Sequence, residues 1–344
     1  MTEDLTESQT RTSTPAAPAA VPRRLLDAVG VQNVSLLLAL GVLVALIGSR
    51  HSEFFLVSNL KVIGTAVAVV GLLAIVETVV ILLSGLDISV GSTAGVGSVV
   101  SAMVFTHYDG NAALGILAAL LVGVVAGIVN GVIIVYGRVN PVVATLATLA
   151  AYKGVAQLIS DGRAQGYTGA DGTFTFIARG AVLGIPTLVW ILALVALLAH
   201  LVLRYTDIGR NIYAIGGNDV AARLAGININ RYILAVYAIT GVVAAFAGVL
   251  ITARTGSGQP VSGSEGLELQ AVTAAALGGC ALQGGRGTIA GTMIAVVLLG
   301  VLDNGIVLFG INPFWQNVAR GALLVVAVVI MQLRSGERRV GMPT

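Results

Sequence analysis

The sequence contains little charge. Asp, Glu, Lys and Arg make up 10% of its 344 residues, against roughly 25% in ordinary soluble domains, and its only lysines are Lys61 and Lys153. Apolar residues make up 56% of the chain. This composition excludes a soluble globular enzyme. Because about 20 apolar helical residues cross a bilayer, the chain has room for about ten spans and none for a separate catalytic domain.

Metal-ligating and disulfide-forming residues are equally scarce. Cys280 is the single cysteine, and the histidines His51, His107 and His200 are scattered. One cysteine excludes an internal disulfide and a Cys-rich metal site, and separated histidines give no ligand cluster. We therefore predict no catalytic residues, no metal site and no cofactor on this chain. The net charge of +3 comes from sparse loop residues, so no nucleic-acid surface is predicted.

Ten apolar runs follow one another along the chain. They lie near 33–49, 62–84, 89–106, 113–136, 141–160, 187–204, 232–253, 266–282, 288–309 and 315–333. The predicted fold class is therefore an all-α integral membrane protein with about ten transmembrane helices. We predict a disordered cytoplasmic tail over 1–31, a transmembrane domain over 32–333 and a second cytoplasmic tail over 334–344. The end of the first tail, from Arg23, fits either a short interfacial helix or a plain linker.

Basic residues predict that both termini are cytoplasmic. With the amino terminus inside, twelve arginines fall in cytoplasmic segments, among them Arg138, Arg204 and Arg231, whereas five basic residues fall outside. This asymmetry agrees with the positive-inside rule. An odd number of spans would place one basic terminal cluster on the wrong side, so an even number is favoured.

Two loops are longer than a connection requires. The outer loop, about 161–186, is either a solvated connector or a surface for a partner. The inner loop, 204–231, contains Asn218 as a helix N-cap and Gly226 as a left-handed stop. The predicted helix between these two residues is so short that it is marginally stable in water unless something packs on it. The sequence therefore predicts a docked partner or, alternatively, an interfacial helix lying on lipid headgroups.

Several polar side chains interrupt the apolar runs. They should face a neighbouring helix, a partner subunit or a wet cavity, because polar groups are costly in lipid; they are Glu77, Asn130, Thr145, Thr148, Lys153, Glu268 and Asp303. Asp87 lies where the second run ends, and it could help to start the third span or contact a substrate. Gly123, Gly127 and Gly131 form a ridge of small residues typical of helix packing.

Motifs in register along the chain resemble one family. The segment 209–227 contains Gly216-Gly217-Asn218, Ala221-Ala222-Arg223 and Ala225-Gly226-Ile227. It is similar to the cytoplasmic coupling loop of permeases from bacterial sugar importers of the ribose, xylose and arabinose ABC class, in the superfamily of branched-chain amino acid permeases. Gly85–Ser92, Asn140-Pro141, Thr145–Thr148, Gly278-Gly279 and Gly284–Thr288 resemble further motifs of that family in the same order. Cys280, Ala281, Ser84 and Glu77 depart from its pattern, which leaves the sugar open.

The resemblance implies a permease fold and a function in monosaccharide import. It implies two permease subunits, identical or paralogous, a cytoplasmic ABC ATPase that binds ATP and Mg²⁺, a sugar-binding protein outside the cell, and surrounding lipid. The ATPase-coupling residues that it implies are Gly209, Arg210, Gly216, Gly217, Asn218, Asp219, Ala222, Arg223 and Gly226. The residues expected to line the translocation path are Asn130, Thr145, Thr148, Asp87 and Glu268.

A second hypothesis is an ion-coupled secondary transporter. Glu77, Lys153 and Asp303 within spans favour it, since intramembrane charges often mark ion pathways. The chain itself cannot be the ATPase, because the phosphate-binding loop requires Gly before its Lys, whereas Lys61 follows Leu60 and Lys153 follows Tyr152. Transport by the purified chain without an ATPase would separate the two hypotheses.

Overall fold

The fold is helical throughout. The computed structural model describes residues 31–108, 110–166, 172–261 and 264–335. Its α-helices are α1 Val31–Arg50, α2 Val57–Leu82, α3 Val90–His107, α4 Ala112–Val135, α5 Pro141–Ser160, α6 Gly172–Arg179, α7 Thr187–Tyr205, α8 Asp207–Gly217, α9 Asp219–Leu224, α10 Ile229–Thr255, α11 Leu267–Leu277, α12 Ile289–Leu308 and α13 Trp315–Ser335, with a 3-10 turn at Ser52–Phe55. The prediction of an all-α membrane protein is confirmed.

Strands are confined to two short antiparallel pairs. β1, Gln165–Gly166, pairs with β4, Ser257–Gly258. β2, Ala181–Val182, pairs with β3, Ile185–Pro186, to form a small hairpin. Both pairs lie in or against the predicted outer loop. With α6, they make this loop a folded cap rather than a plain connector.

Each of the ten predicted spans corresponds to a helix, but the helices are not equivalent. Among the described residues, seven helices are long and apolar enough to cross a membrane, namely α1, α2, α4, α5, α7, α10 and α12. Helix α11 has 11 residues and is therefore about 16 Å long, half of the hydrocarbon thickness. The count of ten complete spans therefore stays a prediction. The predicted tails and the interfacial segment near Arg23 lie almost wholly outside the described residues.

Helix α2 lies at the centre of the bundle. It packs against α7, α10, α11 and α12, and most of its side chains are buried. Helices α3, α4 and α10 form a second packed group beside it. The bundle therefore has an interior, unlike a ring of helices that all face lipid.

Glycines bring α4 and α10 into close backbone contact. A Cβ atom at Gly123 or Gly127 would collide with the backbone at Gly241 or Tyr237 of α10. The predicted small-residue ridge is therefore a packing surface, as membrane helices use Gly for close approach. The third glycine of the ridge, Gly131, lies against Leu234 of the same helix.

We predict that Gly127→Ala destabilises the fold. Its methyl group would overlap the carbonyl of Tyr237, and overpacking of this kind costs about 1–3 kcal/mol. Thermal unfolding of the purified protein in detergent measures the effect. The matched control is Gly154→Ala in α5, where no atom lies within 4 Å of an added Cβ. Equal melting temperatures for the two variants would contradict this account of the helix contact.

Candidate translocation path and coupling surface

The segment between α2 and α3 folds back into the bundle. Ser84 begins the reversal with a φ of 62°. Asp87, three residues later, is only 2% exposed. Its backbone N–H donates to Glu77 Oε1 at 3.2 Å, which joins the returning segment to the helix it has just left. Glu77 is fully buried.

Asp87 accepts hydrogen bonds from two neighbouring elements. The hydroxyl and N–H of Ser89 donate to Asp87 Oδ1 at 2.6 and 2.9 Å. The Asn130 amide of α4 donates to Asp87 Oδ2 at 3.4 Å and to Ser89 Oγ at 2.8 Å. Ser89 precedes α3 but makes no side-chain cap with that helix. Its hydroxyl instead links the carboxylate to α4.

Side chains of two further helices contact the carbonyl oxygen of Leu86. Thr145 Oγ1 of α5 lies 3.1 Å from this oxygen, and Tyr237 OH of α10 donates to it at 3.3 Å. Tyr152, also of α5, lies 3.3 Å from Asn130 Oδ1. The segment 85–89 is thus tied to α2, α4, α5 and α10 by a buried polar cluster.

The predicted path residues occupy different environments. Asp87, Asn130 and Thr145 are buried and bonded into the polar cluster. Thr148 is also buried, but its hydroxyl donates within its own helix to the carbonyl of Thr145. Glu268, by contrast, is half-buried. A path-lining role for these residues stays a prediction, and for the buried ones the observed contacts are structural.

A second segment, between α10 and α11, also returns into the bundle. It runs along α3: Gln259 N donates to Ser98 Oγ at 2.9 Å, and Pro260 lies against Gly95. Glu268, in the first turn of α11, lies against Gly91. Gly91 and Gly95 of α3 thus make room for a carboxylate and an extended segment.

An exposed ion pair lies beside this returning segment. Lys153 Nζ is 3.0 Å from Glu265 Oε1, and the two side chains are 38% and 65% exposed. Lys153 lies twelve residues after Pro141, about 18 Å along α5. This depth lies within the thickness of a bilayer. The sequence did not indicate Glu265, because it lies in a Gly- and Ser-rich stretch that resembles a surface loop.

The third predicted intramembrane charge is neutralised within the chain. Asp303 Oδ2 of α12 accepts from Arg320 of α13 at 2.6 Å, and both side chains are largely buried. The pair borders a cavity of about 370 Å³ between α2, α10, α11, α12 and α13. Close by, Asn59 and Asn304 donate to one another at 3.1 and 2.7 Å. These contacts tie α12 to α2 and α13.

The inner loop folds into two short helices, where the sequence predicted one. Thr206 caps α8 by accepting from Gly209 N. Asn218 ends α8 and caps α9, with its side chain accepting from Ala221 N at 2.9 Å. The prediction of Asn218 as an N-cap is confirmed. So is that of Gly226 as a left-handed stop, since its φ is 84°.

The predicted coupling residues divide into an outward and an inward group. Arg210, Gly217, Asn218, Asp219, Arg223 and Gly226 are exposed, and so are the apolar side chains of Val220 and Leu224. Gly209 lies against Leu203, Gly216 lies against Leu82, and Ala222 is buried. Gly209 and Gly216 face their own chain because α8 packs on the ends of α2 and α7. Ala222, in α9, also faces its own chain. Arg210 pairs with Asp207, whereas the structure pairs neither Asp219 nor Arg223 in the part of the chain that it describes.

A glycine-rich clasp connects α8 to the buried core. We use this name for Ser84, Gly216 and the segment 283–287. Ser84 Oγ donates to Gln283 O at 2.8 Å and lies 3.2 Å from Gly216 O. Gly285 N donates to Leu82 O at 3.0 Å, and Tyr213 OH of α8 donates to Gly287 O at 2.9 Å. The clasp lies three residues before Asp87, so α8 is joined to the polar cluster by a short path.

Comparison with known proteins finds a family of permeases that matches most of the chain. The family described as branched-chain amino acid transport system / permease component matches residues 59–328. The chain belongs to this family. It is a multi-pass membrane protein and a transport subunit rather than an enzyme.

Full-length relatives include two kinds of sugar permease. The ribose import permease protein RbsC of Escherichia coli K12 is 38% identical over 310 residues, 90% of this chain and 96% of the relative. RbsC of Bacillus subtilis is 36% identical over 306 residues, 89% and 94% of the two chains. The L-arabinose transport system permease protein AraH of Escherichia coli K12 is 34% identical over 289 residues, 82% and 84%. No solved structure matches the chain.

We predict that Asn130→Leu lowers stability. The change leaves Asp87 Oδ2 and Ser89 Oγ without their amide donor, and an unsatisfied buried group costs about 1–3 kcal/mol, with charged groups at the upper end. Thermal unfolding in detergent measures the loss. Val129→Leu, at the neighbouring and exposed position, should melt like the parent protein. An unchanged melting temperature for Asn130→Leu would show that the polar cluster does not hold the 85–89 segment.

Proposed function

We propose that the chain is the transmembrane permease subunit of an ATP-binding-cassette importer for a monosaccharide. The names of its relatives support this function, and their lengths are covered almost completely. The chain lacks a phosphate-binding loop, so ATP and Mg²⁺ would belong to a separate cytoplasmic ATPase. A second permease subunit and an external sugar-binding protein would complete the importer.

We infer the location of the translocation path from the exposed Lys153–Glu265 pair. Charges at bilayer depth are costly against lipid and are found facing water or another subunit. The same holds for the extended backbone that precedes α11, which is tolerated only where protein or water covers it. We therefore place the path along the surface of α5, residues 256–261 and 264–266, and α11, with a second permease subunit opposite. Glu268 is the predicted path residue that lies on this surface.

The chemistry of this surface suits a neutral polyol. A sugar offers hydroxyl groups that both donate and accept hydrogen bonds, and a fixed ion pair supplies donors and acceptors without a net charge. Binding would remain weak, since few polar groups converge. A subunit that passes its substrate onward, rather than storing it, needs weak binding.

Helices α8 and α9 form the surface proposed for the ATPase. Leu224 is 85% exposed on a helix of six residues, and a helix this short gains stability by packing on a partner. A movement of α8 would be transmitted to the 85–89 segment by the hydrogen bonds of the clasp. Transport then amounts to a change in the relative stability of two states of the bundle, driven by the ATPase.

An ion-coupled secondary transporter is the alternative. Of the charges that favoured it, Asp303 is paired with Arg320, and Lys153 with Glu265. Glu77 remains, with Oε1 bonded to the N–H of Asp87 and Oε2 without a partner among the described residues. Each of these two charges is balanced by a partner within the chain and needs no bound ion, which weakens this alternative. Uptake by proteoliposomes that contain no ATPase would support it against our proposal.

We predict that Arg223→Glu prevents association with the ATPase. The side chain is exposed on α9, so the reversal changes the docking surface without disturbing the fold. Copurification of the ATPase with the tagged permease measures association. Arg138→Glu carries the same charge change on another exposed cytoplasmic segment and should leave copurification intact. Equal copurification with both variants would contradict docking on α9.

We also predict that the side chain at position 265 is accessible to water. Glu265→Cys in native membranes should react with a water-soluble maleimide, because thiolate formation requires water. Background labelling should be low, since Cys280 is fully buried. Leu121→Cys, on an equally exposed face of α4, should remain unlabelled because lipid covers it. If both positions react alike, or neither reacts, the proposed path surface is wrong.

A further inference from the structure

A deep apolar groove runs along the outside of the bundle. Its walls are α7 and α10, and its floor is formed by Ile75, Val76 and Val79 of α2. The groove has a volume of about 610 Å³. Both walls pack on α2 but stand apart from one another. It lies on α7 and α10, whereas the proposed path lies along α5, α11 and the segment before α11.

The groove has the length of one membrane leaflet. Along α10 it extends from Tyr232 to Val243, a helical rise of about 16 Å. Half of a hydrocarbon core of about 30 Å has nearly the same thickness. The groove begins at the predicted cytoplasmic end of α10 and ends near the middle of the helix. An acyl chain of the inner leaflet would fill it from end to end.

Its cytoplasmic mouth is basic. Arg231 lines the groove at this end, and Arg204, in the last turn of α7, directly follows the groove-lining Leu203. Both side chains are exposed, and in the described ranges neither makes a salt bridge. The acidic residue nearest in sequence to Arg204, Asp207, is engaged by Arg210. The mouth therefore offers uncompensated positive charge above an apolar channel.

We propose that this groove binds an anionic phospholipid of the inner leaflet. One acyl chain would lie between α7 and α10, and the phosphate would lie between Arg204 and Arg231. A basic pocket between transmembrane helices on the cytoplasmic side is a recognised arrangement for anionic headgroups. A zwitterionic lipid would fill the apolar part equally well but would gain less at the arginines. The charge at the mouth thus determines which lipid is favoured.

The lipid would also contact α8, the first of the two helices of the proposed coupling surface. Ile208 and Ile212 of α8 form part of the groove wall. Near the mouth, Asn211 Nδ2 donates to Tyr232 OH at 2.6 Å, which fixes α8 to α10. A bound acyl chain would pack against Ile208 and Ile212 of α8. The lipid would therefore stabilise the position from which α9 extends.

Native mass spectrometry of the purified full-length chain in detergent tests the proposal. The protein is titrated with phosphatidylglycerol and, separately, with phosphatidylcholine. We expect tighter binding of phosphatidylglycerol, by about fivefold for each arginine at the mouth. Arg204→Gln with Arg231→Gln should abolish this preference, whereas Arg138→Gln, which removes a cytoplasmic charge elsewhere, should preserve it.

A second pair of variants tests the apolar part of the groove. Ala235→Trp places a large side chain in the groove and should weaken binding of both lipids. Leu197→Trp, on a face of α7 outside the groove and equally open to the exterior, should not. Equal affinity of the parent protein for the two lipids would overturn the proposal. So would loss of a dimer mass in Ala235→Trp without loss of lipid, since the groove would then be an interface between two copies.

Discussion

The structure depends on the need to satisfy backbone polar groups at membrane depth. In hydrocarbon, N–H and C=O groups without partners are costly, and non-helical backbone is tolerated only under protein or water. In the part of the chain that the structure describes, segments of this kind include 83–89 and 256–261. The first is enclosed by four helices, whose side chains bond to Leu86, Asp87 and Ser89. The second lies along α3 and is only partly covered, so it marks where water or another subunit must lie.

Close packing of small residues makes this enclosure possible. Gly97 and Gly248 let α3 and α10 approach at backbone distance, and Gly123 and Gly241 do the same for α4 and α10. Helices this close bring Asn130 and Tyr237 within hydrogen-bonding distance of the 85–89 segment. The many glycines of the chain are thus tied to its polar interior. Larger residues would separate the helices and remove the Asn130 donor from Asp87.

Helices α8 and α9 are connected to this interior without a flexible linker. Gly216 of α8 lies directly on the last turn of α2, and Ser84 bonds to both neighbouring segments. Asp87 follows three residues later. A displacement of α8 cannot occur without moving Ser84 or breaking its bonds. This short connection gives a physical basis for coupling between a surface helix and the buried cluster, and the lipid groove borders the same helix.

The sequence by itself determined the class of the protein, the positions of its long apolar helices and the caps at Asn218 and Gly226. These features follow from composition, hydrophobic runs and local backbone preference, which are properties of neighbouring residues. The sequence also singled out Asn130, Thr145 and Asp87 as polar groups that require partners. Only the tertiary structure decided that Asn130 donates to Asp87 and that Thr145 contacts the carbonyl of Leu86. It also decided that α11 is half a span and that Glu265 pairs with Lys153. Such outcomes depend on contacts between residues far apart in the chain, and no local pattern specifies which distant helix will provide the partner.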